Sequence, residues 1–531
     1  MLFTSYEFIG FMFAVFALYY LVPKRFQQIL LLAASYLFYF CAGTFYPIFI
    51  LITTLTTYLT GMKLEKLLLE KKAYVKEHKA ELSREEKKAY NERMQKKRFR
   101  CMLLCMLLNF GILAVCKYTN FAIVNINSLL HTFGSDTELS LMNLVLPMGI
   151  SFYTFQSMGY LIDIYWEKYN AEKNPFHFAL FVSFFPQLIQ GPISRFDKLS
   201  ETLFVPHSFD WKNITYGLER ILWGYFKKMV IADRMLVAVN TIIQDSATYS
   251  GTYVLVGMVF YALELYADFT GGIDITIGIA EVMGIRVEEN FIRPYFSKNI
   301  AEYWRRWHIS MGTWFKDYIF YPMSIWKPLM DFSKKVKNRF GTGAAKRVSV
   351  YTATIVTWFV TGIWHGASWN FIMWGLMNGF VIIISQEFDP LYQKFHARFP
   401  GLKANLCYGI FEMVRTFLLM SCLRLFDCYR DVKEAFSMFF SMFMKANPKV
   451  LFDGSLMQLG LTVSDYVILL TGTILLFTVS ILQEKHPVRD RLYEKPAILR
   501  YCIHFLLVFA VLVFGMYGVG FDSNQFIYNQ F

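Results

Sequence analysis

Residues 350–385 read VYTATIVTWFVTGIWHGASWNFIMWGLMNGFVIIIS, two apolar runs separated by the short segment His365–Ser368. Each run is apolar enough to lie in a membrane, where ionisable side chains are rare because they are costly. An imidazole at that depth either hydrogen-bonds between packed helices or carries a proton for chemistry. The segment therefore predicts membrane helices around a candidate functional histidine, His365.

The composition of the whole chain agrees with a membrane protein. Of its 531 residues, 55% are hydrophobic and 18% are charged, and the mean hydropathy is positive, at +0.36. A soluble domain usually carries about 25% charged residues. Several apolar runs are shorter than the roughly 20 residues that a perpendicular helix needs, so we expect about ten to twelve spans, some tilted, broken or re-entrant. The predicted fold is one all-α polytopic membrane domain over residues 1–531.

One apolar stretch contains strong helix breakers. Residues 185–192 read FPQLIQGP, with two prolines and a glycine, and cannot form an uninterrupted helix. Irregular backbone at membrane depth is tolerated only where protein or water satisfies its polar groups. The stretch is therefore expected to line a cavity rather than to face lipid.

Positive charge is concentrated between apolar runs. Residues 63–100 hold 14 Lys or Arg against 7 Glu, a net charge of about +7 in a chain with +13. The positive-inside rule makes this segment cytoplasmic, and its alternation of Glu and Lys predicts a solvated helical insertion. Counting spans outward from Lys24 and Arg500 places both termini outside. Because the basic residues flank the membrane, where lipid and orientation explain them, they do not indicate a nucleic-acid-binding protein.

The cysteines do not indicate a metal site or disulfides, and the first apolar run does not indicate a cleaved signal peptide. The eight cysteines contain no CxxC pair, so they predict small buried apolar residues rather than a metal site or disulfide framework. The run at residues 8–22 has no preceding basic residue and no small-residue cleavage site after it. It is therefore expected to be a span rather than a removed signal peptide.

A second histidine lies in the sequence YWRRWHIS, residues 303–310. At 3.6 residues per turn, one helix face would carry Trp304, Trp307 and His308, together with Met311, Phe315 and Tyr318. This pattern predicts an amphipathic helix at the cytoplasmic interface, either as a membrane anchor or as part of a catalytic site. Two tryptophan-flanked histidines in a chain with nine histidines favour a shared role.

Three carboxylates, Glu264, Asp268 and Asp274, lie in one apolar run and must be paired, hydrogen-bonded or hydrated. With His365 they would suit the proton or ion path of a transporter, which is the alternative from another functional class. Transporters often contain inverted repeats with matched broken helices. We find no internal repeat, and the Trp-His-Gly sequence has no counterpart in the N-terminal half.

Three motifs occur in a distinctive order: FPQLIQGPI at 185–193, YWRRWHIS at 303–310 and WHGASWNFIMWG at 364–375. Together they resemble the membrane-bound O-acyltransferase family, and in particular its bacterial branch of alginate O-acetylation and teichoic acid D-alanylation enzymes. The resemblance implies a central tunnel with His365 at its narrow centre. An acyl thioester would enter from the cytoplasm and the acceptor from the opposite face.

The resemblance also implies roles for individual residues. His365 would be the general base, because burial favours the neutral imidazole that a base requires. His308 matches the family's second histidine and would position the donor or polarise its carbonyl. The predicted lining of the substrate tunnel comprises Trp304, Trp307, Trp364, Ser368, Trp369 and Asn370. No metal is expected in the site.

The C-terminal sequence NQFIYNQF, residues 524–531, is aromatic yet polar. By composition, residues 521–531 form a short extracytoplasmic interfacial tail. The tail also resembles the Phe-x-Tyr-x-x-Phe ending of a small membrane subunit that accompanies D-alanylation enzymes. That resemblance makes Tyr528 a candidate acyl relay.

The expected function is transfer of an acetyl or similar small acyl group across a bacterial cytoplasmic membrane, for O-acylation of a cell-surface or secreted polysaccharide. The cosubstrate would be acyl-CoA, above all acetyl-CoA, or the thioester of an acyl carrier protein, with no permanently bound cofactor. Membrane lipid and an extracytoplasmic SGNH-type protein are the expected partners. The alternative within enzymes is D-alanyl transfer from a carrier protein to teichoic acid.

Overall fold

The computed structural model describes residues 3–484 and 486–517, and within them the regular structure is helical, without strands. The all-α prediction is confirmed. The chain forms two compact units. Unit 1 comprises Phe3–Ile214 and Ile279–Glu288, and unit 2 comprises Thr215–Gly278 and the described residues from Glu289 onward.

The helices of unit 1 are mostly apolar, with one long charged hairpin. In chain order they are α1 (Tyr6–Leu21), α2 (Gln27–Ala42), α3 (Tyr46–Glu77), α4 (Arg84–Thr132), α5 (Ile150–Tyr165), α6 (Pro175–Ser183), α7 (Phe185–Gln190) and α8 (Phe196–Leu203). Helix α9 (Trp211–Tyr225) continues from this unit into unit 2.

The basic segment 63–100 occupies the end of α3 and the start of α4. Ser83 caps α4 through a capping box with Glu86, and the rings of Tyr74 and Tyr90 stack with centroids 4.2 Å apart across the hairpin. Arg98 is fully buried and lies 3.0 Å from a carboxylate oxygen of Glu167. The tyrosine stacking therefore joins α3 to α4, and the ion pair joins α4 to the segment after α5.

The proline-containing stretch is broken as predicted. Helix α6 ends at Ser183, α7 begins at Phe185 with Pro186 in its first turn, and the chain leaves helical geometry at Gly191. All residues of α7 are buried. The break follows from proline chemistry, because proline is accepted in the first turn of a helix but not in its interior.

Unit 2 contains the remaining helices. They are α10 (Asp233–Gln244), α11 (Thr252–Val282, whose last residues belong to unit 1), α12 (Ile300–Arg306), α13 (Ile309–Phe315), α14 (Tyr321–Ser324), α15 (Lys327–His365), α16 (Trp369–Arg398), α17 (Leu406–Leu423), α18 (Leu425–Cys428), α19 (Val432–Met444), α20 (Val463–Leu482), α21 (Val488–Tyr493) and α22 (Ala497–Phe514). π-Helical turns at Phe226–Ala232 and Lys316–Phe320 adjoin α10 and α14.

Among the described helices, seven are long and apolar enough to cross a membrane: α3, α4, α11, α16, α20, α22 and the stretch Leu406–Cys428. Helix α1 is a shorter apolar helix of 16 residues. The predicted number of ten to twelve spans also includes apolar runs that fold as short or broken helices. The chain is a multi-pass membrane protein.

The helix predicted across residues 303–318 is not continuous, and that prediction is wrong. Helix α12 ends at Arg306, and His308 has φ +47° and ψ +56°, the left-handed conformation, before α13 begins. Non-glycine residues rarely adopt this conformation, although histidine is among those that do so most readily. His308 therefore lies at a break between two short helices instead of on one continuous apolar face.

Candidate active site

His365 is the last residue of α15, and the chain turns into an extended conformation at Gly366 before α16 begins. The ring of Phe371 packs directly on the α-carbon of Gly366, where an added Cβ would clash with it. The glycine of the Trp-His-Gly sequence thus lets α16 fold back close to the end of α15. This places the half-buried His365 at the junction of the two helices.

Close contact between α15 and α16 continues behind His365. A Cβ on Gly375 would clash with the Trp358 carbonyl oxygen, and one on Gly362 would clash with the Phe371 carbonyl oxygen. The two helices therefore pack backbone against backbone. Because backbones move less than side chains, this packing fixes the position of the α15 C-terminus.

Both histidines contact the same tryptophan. The Trp364 ring centroid lies 5.0 Å from that of His365 and 6.0 Å from that of His308, and both pairs have edge-to-face geometry. The ring of Trp374 also contacts His365, with centroids 4.6 Å apart. The structure thus brings the two predicted histidines into one aromatic cluster, although they are 57 positions apart in the sequence.

The tautomer of His308 is assigned from its contacts with Asn290. The Asn290 Oδ1 atom accepts hydrogen bonds from the Ser310 backbone N–H and hydroxyl group, both at 2.9 Å. His308 Nδ1 lies 3.3 Å from the amide nitrogen Nδ2 and 3.4 Å from Oδ1, and because Oδ1 already accepts two hydrogen bonds, we assign Nδ2 as the donor to Nδ1. Since Nδ1 accepts, this assignment places the ring proton on Nε2 and makes Nε2–H a hydrogen-bond donor.

His308 lies outside the apolar candidate spans, and it is 1% exposed. Burial, aided by the positive charge of Arg424, lowers the pKa of His308 to about 3. The ring is therefore neutral at physiological pH. A neutral imidazole with a fixed Nε2–H can donate a hydrogen bond to a developing oxyanion.

Arg424 is a residue of the site that the sequence analysis missed. Its guanidinium carbon lies 4.9 Å from the ring centroid of Trp307 and 5.3 Å from that of Trp374, with Trp304 at 5.9 Å. The charge is paired with Asp427, with 2.9 Å between Nη1 and Oδ2. The signal was present in the sequence, because an arginine followed at i+3 by an aspartate ends an otherwise apolar run.

The predicted tunnel residues occupy different environments. Trp364 and Trp307 are buried, whereas Trp369 is 59% exposed and lies outside the buried ring cluster. Asn370 is fully buried and donates its amide to the Phe426 carbonyl at 2.8 Å, while the Ser368 hydroxyl donates to Asn370 Oδ1. Ser368 and Asn370 thus connect the start of α16 to α18.

Two of the three carboxylates on α11 are held in ion pairs. Asp268 lies 2.5 Å from the ammonium group of Lys228, and Asp274 lies 2.6 Å from that of Lys227. Glu264 is 1% exposed, and its Oε2 atom has no hydrogen-bond partner among the described residues. The three groups therefore have different environments, although all three are carboxylates in the same apolar run.

Two further predictions concern the tail and metal binding. Tyr528 and the tail 521–531 lie outside the described residues. Within the part of the chain that the structure describes, no three His, Cys, Asp or Glu side chains gather as a metal-binding group.

Comparison with known proteins provides independent information. Residues 171–426 match the model of the membrane-bound O-acyltransferase family. The chain is 33% identical to a probable alginate O-acetylase of Pseudomonas putida over 74% of each chain. It is 30% identical to a peptidoglycan O-acetyltransferase of Helicobacter pylori, over 57% of this chain and 59% of the relative. It is 28% identical to a teichoic acid D-alanyltransferase of Bacillus subtilis, over 52% of this chain and 67% of the relative.

The family match spans both histidines and the aromatic cluster that joins them. An O-acyltransferase takes its acyl group from a donor cosubstrate. The chain belongs to the membrane-bound O-acyltransferase family and is an O-acyltransferase.

Proposed function

We propose that the protein moves an acetyl or similar small acyl group from a cytoplasmic thioester to a hydroxyl group of a cell-surface or secreted polysaccharide. The observation that carries the proposal is the pair His365 and His308 joined by Trp364, with His308 held as a neutral donor. The names of two relatives, an alginate O-acetylase and a peptidoglycan O-acetyltransferase, support acetyl as the acyl group and polysaccharide as the acceptor.

His365 acts as the general base in this mechanism. It takes the proton of the acceptor hydroxyl as that oxygen attacks the thioester carbonyl carbon. A carbon–oxygen bond forms, the carbon–sulfur bond breaks, and the departing thiolate receives the proton from His365. A positioned base of this kind contributes about 10²–10⁴-fold to the rate.

His308 supplies the complementary electrophile. Its Nε2–H donates to the carbonyl oxygen, which becomes negatively charged in the tetrahedral intermediate. A single oxyanion donor in a buried site is worth about 10²–10³-fold in kcat. Because the ring is neutral, it can donate to the oxyanion without burying an additional positive charge.

Substitution of the two histidines tests this assignment. With purified protein and acetyl-CoA, His365→Ala should abolish acetyl transfer, while His308→Ala should reduce kcat by about 10²–10³-fold. His396→Ala is the matched control, because His396 contacts Tyr408 near the end of α16 and should leave transfer unchanged. Normal activity of the His365→Ala enzyme, with the protein folded in detergent, would refute the mechanism.

The route beyond the membrane involves Tyr528 and a partner. We propose that Tyr528 accepts the acyl group as an ester and that an extracytoplasmic SGNH-type protein then passes it to the polysaccharide. Mass spectrometry of the chain after incubation with acetyl-CoA should detect acetyl on Tyr528. If Tyr528→Phe leaves polysaccharide acylation in cells unchanged, there is no relay at this residue.

D-alanyl transfer from a carrier protein to teichoic acid is the second candidate, favoured by the similarity to the Bacillus subtilis D-alanyltransferase. Parallel assays with acetyl-CoA and with a D-alanyl carrier-protein thioester separate the two. We expect turnover with acetyl-CoA. Turnover with the carrier thioester alone would replace our proposal with the D-alanyl one.

A further inference from the structure

A second feature of unit 2 lies beside the histidine cluster. A cavity of about 280 Å³ is lined by Gly366, the residue after His365, and by side chains of α10, α11, α16 and α18. Its lining includes Tyr261, Glu264, Ser368 and Asp427. Aromatic and polar groups therefore meet in one small chamber next to the proposed base.

Three polar side chains of this chamber are already bonded within the protein. Asp427 pairs with Arg424 at 2.9 Å, and the Ser368 hydroxyl donates to Asn370. The Asn370 amide donates to a backbone carbonyl at 2.8 Å. These groups stabilise the chamber walls, and their geometry is fixed by the fold.

Glu264 differs from them. Its side chain lines the chamber and is 1% exposed, yet no described residue gives its Oε2 atom a hydrogen-bond partner. Buried polar groups without partners are costly and rare. A buried group of this kind calls for an explanation, and a bound ligand that supplies the missing partner is one.

The missing hydrogen-bond partner must be able to pair with Glu264 Oε2, and it must belong to a molecule that reaches this chamber. A hydroxyl group can donate to a carboxylate and accept from a carboxylic acid, so it satisfies Glu264 in either protonation state. The acceptor of an O-acyltransferase carries such a group. Gly366, which lines the chamber, directly follows His365, the base that our mechanism requires to contact that hydroxyl.

We propose that this chamber binds the acyl acceptor and that Glu264 hydrogen-bonds a hydroxyl group of it. The inference rests on the proposed function and adds a specificity-determining residue to it. The shared chemistry is an alcohol or phenol, carried either by a sugar or by Tyr528. Glu264 orients the acceptor and takes no part in cleaving the thioester.

The test uses Glu264→Leu, which removes the hydrogen bond with little change in volume, and Glu264→Gln, which keeps it. Acetyl transfer to methyl α-glucoside is measured with the purified full chain in the Tyr528→Phe background. Acetylation of Tyr528 is measured separately by mass spectrometry in the otherwise native chain. Hydrolysis of acetyl-CoA without an acceptor reports thioester cleavage alone.

Glu264→Leu should raise the KM for the glucoside, or slow Tyr528 acetylation, by about tenfold or more, the loss expected for a hydrogen bond to a charged group. Glu264→Gln should recover most of the native KM or acetylation rate. In both variants, acetyl-CoA hydrolysis should change less than about twofold. An effect on the glucoside identifies a sugar as the ligand, whereas an effect on Tyr528 alone identifies the phenol. If Glu264→Leu alters neither, the proposal is wrong.

Thermal stability separates ligand binding from a structural role. Because an unpartnered carboxylate is replaced by an apolar group, Glu264→Leu should keep or raise the melting temperature in detergent. Glu219→Leu is the matched control, since Glu219 is a partly buried glutamate whose Oε1 atom lies 2.5 Å from His504 Nε2. It should lower the melting temperature without changing the acceptor KM. A lower melting temperature for Glu264→Leu together with an unchanged acceptor KM would assign Glu264 to the fold and overturn the proposal.

The test also separates this proposal from the proposed function. If the native protein cleaves acetyl-CoA and transfers its acetyl group, but Glu264→Leu leaves acceptor use intact, only the acceptor-binding role fails. If the native protein cleaves no thioester, the proposed function fails and the Glu264 proposal fails with it.

Discussion

His308 occupies a strained backbone position that its neighbours hold in place. Its φ of +47° is rare for a non-glycine residue, and such strain costs about 1–3 kcal/mol. On either side, the Ile309 N–H donates to the Asn290 carbonyl and the Ile292 N–H donates to the Arg306 carbonyl, both at 2.9 Å. The loop before α12 therefore fixes the direction of the imidazole, as a proposed oxyanion donor requires.

The pKa of His308 makes stability depend on pH. Its pKa is about 3 in the folded protein, against the ordinary histidine value of 6.5, so the unfolded chain binds more protons between these values. Stability should therefore be complete above about pH 6.5 and fall as the pH drops toward 3, by roughly 3–5 kcal/mol. His308→Asn removes this titration and should flatten that part of the profile.

The measurement is the free energy of unfolding in detergent, from denaturant titrations between pH 4 and pH 8. Asparagine suits the test because it tolerates the left-handed conformation. Comparison of the two proteins at pH 7.5 corrects for the lost packing of the ring. A variant profile as steep as that of the native protein below pH 6.5 would show that another group causes the slope.

At the scale of helices, the close contact of α15 with α16 holds His365 in place. Gly375→Ala puts a methyl group against the Trp358 carbonyl oxygen and should force the helices apart. Overpacking of this kind typically costs about 1–3 kcal/mol. We expect a lower melting temperature and reduced acetyl transfer, because the end of α15 moves with the backbone.

Gly343→Ala is the control for that substitution. Gly343 lies in α15, where an added Cβ meets only the tip of Arg347. Alanine is favoured over glycine in a helix by up to about 1 kcal/mol, so this variant should keep activity and melt no lower than the native protein. Equal behaviour of the two variants would mean that the close contact does not position His365.

Sequence patterns predicted where the helices lie better than they predicted which residues contact one another. Apolar runs identified the spans, and two prolines identified the break before α7, because both signals are local. The break at His308 was missed, since it depends on hydrogen bonds with residues 290–292, which are distant in sequence. The motifs identified both histidines, but only the fold brings Trp364 against His308 and Arg424 against Trp307 and Trp374.

At the scale of the whole molecule, α4 provides the clearest test of orientation. It has 49 residues, about 74 Å at 1.5 Å per residue, whereas the hydrocarbon core is about 30 Å thick. Its basic first turns and the end of α3 must therefore extend beyond the membrane. The positive charge of residues 63–100 predicts that they extend into the cytoplasm.

A protease site inserted in the turn at residues 79–82 should be cut in inverted membrane vesicles but not in spheroplasts, because the protease cannot cross the membrane. The same site inserted at residues 135–138, after the other end of α4, should be cut in spheroplasts only, since α4 crosses the membrane once. This pair controls for exposure, because both insertions lie in exposed or partly exposed turns. The opposite pattern would reverse the orientation, and with it the assignment of the thioester to the cytoplasmic face and of the acceptor to the outside.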